Sequence, residues 1–146
     1  MSFINVRTQL NTIITGIQVA AGIATVYTYP PTKAGTTPAV AILDDVSGDE
    51  YGTTSANKAN INFIVRVMVE KALAGTPTDS TQVTQLLTIC DSIMTEIRKE
   101  SNHTLSGQSH SVIIDEVTPT EVGTCGDQTV FFKDIKIKTS SFQTVV

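Results

Sequence analysis

The chain has 146 residues, a formal net charge of −4, a pI near 5.0 and 40% hydrophobic residues. A chain of this length can bury roughly 70% of its unfolded surface, so it needs no disulfide or metal for stability. The acidic balance argues against a protein that grips nucleic acid through a basic surface. We therefore expect a single globular domain over residues 1–146.

The two cysteines and the first residues carry no targeting or redox signal. Cys90 and Cys125 match no metal or redox spacing, which predicts two free thiols in a reducing compartment. The opening MSFINVRTQLNTIIT lacks the basic cluster and continuous apolar core of a secretory signal. No run of about 20 apolar residues occurs, so neither a transmembrane helix nor a membrane partner is predicted.

The first third of the chain is free of charge between Arg7 and Lys33. Apolar residues at helical spacing predict a helix over 3–18, with these positions on its buried face: Phe3, Val6, Leu10, Ile13, Ile14 and Ile17. A short strand is predicted at 24–31, where two prolines stop it, and another at 38–45. The uncharged stretch indicates a segment buried against protein.

One predicted strand is much longer than the usual strand. Residues 46–55, VSGDEYGTTS, have the composition of a mobile loop, and residues 58–70 then alternate apolar and polar side chains. About 13 residues at ~3.3 Å each make ~43 Å, whereas the usual strand has about 5 to 6 residues. Pairing with residues 38–45 predicts a hairpin with a long connection.

The second half repeats the pattern of a helix followed by strands. Asp79 and Gln82 resemble a capping box before an apolar stripe that ends at Ile97. Strands are predicted at 111–117 and 128–142, with a turn between them. Two amphipathic helices can cover one face of such a sheet. The predicted fold is α+β, a two-layer domain with a mostly antiparallel sheet and both helices on one face.

The residues that usually carry catalysis are sparse. His103 and His110 lie in a polar loop without a nucleophile signature. The adjacent carboxylates Asp44–Asp45 and Asp115–Glu116 point to opposite sides of their strands, which disfavours an acid–base or metal pair. No glycine-rich phosphate loop occurs. We expect no enzyme activity, no cofactor and no metal.

The long strand predicts contact between copies, because its overhang needs a partner. Ile64 and Met68 interrupt its polar face, and the lysines near the C-terminus form either a solvated edge or a contact to a neighbour's acids. We expect the interface to include Asp44, Asp45, Ile64, Arg66, Met68, Lys133, Lys136 and Lys138.

The order of these segments resembles a known family. A helix is followed by VYTYPP, TPAVAIL, an acidic loop and the strand NINFIVRVMVEK, and then by a helix and FFKDIKIKTSSF. This order is similar to that of the tail terminator (tail completion, head-to-tail joining) proteins of long-tailed bacteriophages. The resemblance covers nearly the whole chain, and TPAVAIL and INFIVRVMV carry most of it.

The resemblance implies a virion protein of the tail or neck, assembled in the host cytoplasm. Such proteins form a six-membered ring on the head-proximal end of the tail tube. The ring stops tube polymerisation and joins the tail to a neck or head-completion protein. DNA passes through its lumen without sequence recognition, and a lumen with few basic residues would let it slide.

The resemblance also assigns a contact loop, at the position of the family's flexible loop over 46–55. The residues expected to touch the tail tube protein or the neck are Val46, Ser47, Gly48, Asp49, Glu50, Tyr51, Gly52 and Thr53. Tyr51 is the type of residue that anchors interfaces. The strand would then act as a lever that holds an acidic loop away from the core.

Three other functions stay open at this point. A neck or head-completion protein, or a tail tube subunit, would also be a virion component. A small ligand-binding module belongs to a different class and would need a pocket with convergent polar groups.

Overall fold

The helices and strands follow the predicted order, with two strands added. The computed structural model describes residues 2–51, 56–71, 79–107 and 111–144. The elements are α1 (Phe3–Ala21), β1 (Thr25–Tyr27), β2 (Ala39–Asp44), β3 (Gly48–Tyr51), β4 (Ala56–Glu70), α2 (Asp79–Ile97), a short 3-10 helix (Glu100–Asn102), β5 (Ser111–Val117), β6 (Glu121–Cys125) and β7 (Gln128–Thr144).

The sheet is built around its two longest strands. β4 and β7 are antiparallel and pair over their whole shared length, from Ala56 opposite Thr144 to Glu70 opposite Val130. Two short strands, β2 and β3, line the other edge of β4, while β5 and β6 line the other edge of β7. β1 pairs with β2, and this is the parallel pair of an otherwise antiparallel sheet.

This arrangement corrects the argument that the long strand overhangs unpaired. β4 has 15 residues, two more than predicted, and each of them has a partner on β7. The backbone groups of the overhang are therefore satisfied within the chain rather than by a second copy. β7 is an inner strand, so the alternative that its lysines mark a solvated edge is wrong.

The predicted loop over 46–55 is partly strand. Asp44 lies opposite Phe63 and Gly48 opposite Asn60, so four steps along β2–β3 match three steps along β4. The extra residue is a bulge at 45–47, and beyond it the chain resumes pairing as β3. The turn-forming composition of residues 46–55 did not prevent this pairing. β2 ends at Asp44, which leaves the same edge of β4 free to pair with β3.

Particular residues explain where α1 begins and ends and where α2 begins. The Ser2 side chain accepts a hydrogen bond from the Asn5 backbone N–H at 3.1 Å, which caps α1. α1 runs three residues past the predicted end and stops at Gly22, whose φ of 76° suits glycine. α2 begins at Asp79, whose carboxylate lies 3.2 Å from Lys71 Nζ.

Both helices pack on one face of the sheet, which confirms the two-layer α+β fold. Val6, Leu10 and Ile14 of α1 are fully buried, and so are Leu86 and Ile93 of α2. They meet one face of the central strands, made by these side chains: Val40, Ile42, Ile61, Phe63, Val65, Val67, Val69, Phe131, Ile135 and Ile137. Phe3 is an exception to the prediction, because 52% of it is exposed.

The second face of the sheet has its own small cover. The segment between β1 and β2, residues 28–38, crosses this face and buries Ala34 completely. Gln128 clamps it by exchanging two hydrogen bonds with the Gly35 backbone, at 2.8 and 2.9 Å. A second cluster forms beneath it from Ala34, Ala39, Ala41, Met68 and Val130. The rest of this face has no covering layer among the described residues.

The segment between β5 and β7 was predicted as a turn and contains a strand. β6 pairs with the first residues of β7, from Glu121 opposite Phe132 to Cys125 opposite Gln128. The hairpin turns at Gly126, whose φ is 67°. The sequence did not predict β6 because glycine and threonine are typical of turns and are also tolerated at the end of a sheet.

Candidate functional site

A three-stranded arm extends from one end of the domain. It consists of β3 with residues 56–60 of β4 and 140–144 of β7, and it projects past the end of β2 and the start of β5. Among the side chains that the structure describes, the hydrophobic core reaches to Ile61 on β4. Four to five residues at ~3.3 Å each make the arm about 15 Å long.

The base of the arm is held by hydrogen bonds around the bulge. The Asn62 backbone N–H donates to Ser47 Oγ at 2.9 Å, and Asn62 Nδ2 donates to the Val46 carbonyl at 2.7 Å. Val46 points outward and is 84% exposed. The bulge thus fixes the direction of the arm and leaves one large apolar side chain at its base.

The predicted contact residues that the structure describes divide between the bulge and β3. Val46 and Ser47 lie in the bulge, and Gly48, Asp49, Glu50 and Tyr51 form β3. Gly52 and Thr53 lie outside the described residues. The middle part of the predicted contact segment is therefore a strand, β3, which pairs with one edge of the longer β4.

A pocket opens on the second face of the sheet. Its volume is about 370 Å³, and it spans β2, β4, β7 and β6, with Pro30 and Pro31 as one wall. The lining is largely apolar: Ala41, Leu43, Met68, Val130 and Phe132. Pro30 and Pro31 belong to the segment 28–38, so the pocket lies beside the cover of this face.

An ion pair forms the polar wall of this pocket. Arg66 Nε and Nη2 donate to the two carboxylate oxygens of Asp134 at 2.8 and 3.0 Å, and the guanidinium lies 4.8 Å from the centre of the Phe132 ring. The bonds to Asp134 raise the pKa of Arg66. The pair neutralises itself, so the pocket favours a neutral, apolar guest over a free ion.

The predicted interface residues are spread over both faces. Arg66 is in the ion pair and Met68 is only 2% exposed, so Met68 has almost no surface for a partner in the isolated chain. Ile64 and Lys136 lie side by side on the second face, and Lys136 pairs with Glu116 at 3.3 Å. Lys138 follows on the same face, whereas Lys133 points to the helix side.

The acidic members of that set lie at the end of β2. Asp44 is exposed beside Phe3, Ile4 and Arg7 on the helix side of the sheet. The Asp45 carboxylate accepts a hydrogen bond from the Val46 backbone N–H at 2.8 Å within the bulge.

Lys133, Lys136 and Lys138 do not form one basic cluster, because side chains alternate along β7 and Lys133 lies on the opposite face from the other two.

The sequence did not predict the ion pair of Arg66 with Asp134, or the Phe132 ring beside it, on the second face of the sheet. The pairing of Asp134 with Arg66 depends on the register of β4 and β7, which brings together two residues 68 positions apart in the chain. The presence of an arginine and an aspartate on the polar faces of two predicted strands was the available signal.

The described residues hold no side-chain cluster that could bind a metal ion. No group of three or more histidine, cysteine, aspartate or glutamate side chains converges in the described ranges. His103 is exposed after the 3-10 helix, and His110 lies outside those ranges. Neither α1 nor α2 has the combination of length and apolar character that a membrane crossing requires.

The two cysteines have different surroundings, which predicts selective labelling. Burial raises the pKa of the Cys90 thiol from about 9 to about 12, and only 1% of Cys90 is exposed. The reactive form is the thiolate, so native protein at about pH 9 should react with iodoacetamide at Cys125, in the pocket, and not at Cys90. Peptide mass spectrometry reads the site directly. Equal labelling of Cys90 in folded protein would contradict the buried position.

No known protein family and no curated protein matches this sequence.

Proposed function

We propose that this chain is a structural subunit of a bacteriophage tail, which forms a homo-oligomeric ring on the head-proximal end of the tail tube. The ring stops tube polymerisation and joins the tail to the neck, and DNA passes through it. The observation that supports this most is the arm, which extends past the hydrophobic core and carries the segment expected to contact the tube or neck.

The arm suits a contact function for a physical reason. The three-stranded arm extends about 15 Å past Ile61, the position on β4 where the described hydrophobic core ends. Its pairing on both sides of β4 makes it stiff enough to present side chains at a distance. We propose Asp49, Glu50 and Tyr51 of β3 as the residues that contact the tube or neck.

Charge is consistent with the proposed passage of DNA. The chain has 14 acidic and 10 basic side chains, and several of the basic ones are already paired within the chain. A ring of such subunits offers few free cations to phosphates, so DNA would move through rather than bind.

Native mass spectrometry with and without preformed tail tubes tests the proposal. A hexamer alone, or a six-fold assembly that appears only on tube ends, is the expected result. Electron microscopy should then show tubes that no longer grow from the capped end. A protein that stays monomeric and leaves tube growth unchanged would refute the proposal.

Substitutions in β3 test the proposed contacts of the arm separately from ring formation. Asp49→Asn, Glu50→Gln and Tyr51→Ala together leave the backbone pairing of β3 possible but remove the proposed contacts. Loss of an anchoring tyrosine typically costs an interface about 2 kcal/mol or more, so tube capping should weaken by roughly 30-fold. The matched control is Asp91→Asn on the exposed side of α2, which should cap tubes normally. Normal capping by the triple variant would exclude the arm as the contact.

A neck or head-completion protein is the alternative within the virion. It would share the ring and the open lumen, and it would bind the completed tail rather than bare tubes. Co-sedimentation with bare tubes therefore separates the two functions.

A further inference from the structure

We draw no further inference here: the strongest candidate, the largely apolar pocket of about 370 Å³ on the second face of the sheet beside the ion pair of Arg66 with Asp134, carries none because nothing in the described part of the chain shows what fills it.

Discussion

Replacing Ile93 with alanine is expected to lower the free energy of unfolding by about 3–4 kcal/mol. Ile93 is fully buried in α2, where it packs in the core between the helices and the sheet. Truncation removes three carbons from a site enclosed by both layers, so the loss combines transfer of apolar surface with the cavity left behind. Urea denaturation followed by circular dichroism measures the difference.

Leu87→Ala is the matched control for this experiment. Leu87 lies on the same helix and is 41% exposed, so its truncation removes a similar amount of carbon from a partly solvated site. The expected loss is below about 1 kcal/mol. Similar losses at Ile93 and Leu87 would mean that α2 does not pack on the sheet as described.

Replacing Arg66 with leucine is expected to cost about 2–3 kcal/mol. The Asp134 side chain is only 11% exposed and would lose both of its hydrogen bonds from the guanidinium. Breaking a fully buried pair costs about 3–5 kcal/mol. The lower figure applies here because the Arg66 side chain is 37% exposed, and solvent screens the pair.

A double-mutant cycle isolates this interaction. Arg66→Leu with Asp134→Leu removes both charges, and replacing a buried ion pair with apolar side chains is often close to neutral. The double variant should therefore be more stable than Arg66→Leu alone. Additive losses would show that the two residues act independently.

Much of the fold could be predicted because its determinants are local in the chain. The 3.6-residue period of α1 and α2 and the two-residue period of β4 and β7 depend only on near neighbours. These periods predicted both helices, the two long strands and the face that the helices cover. The charge-free stretch from Arg7 to Lys33 was a poorer guide, because only Leu10, Ile14 and Ile23 are buried within it and Val19 is 95% exposed.

The sequence by itself therefore determined the element types, their order and the α+β layer arrangement. Only the tertiary structure decided that β3 resumes pairing after the bulge, that β6 replaces a turn, and that Phe3 stays exposed. It also placed Arg66 against Asp134 and opened the pocket beside them. The physical reason is that strand register and edge pairing depend on residues far apart in the chain, whose meeting no local pattern encodes.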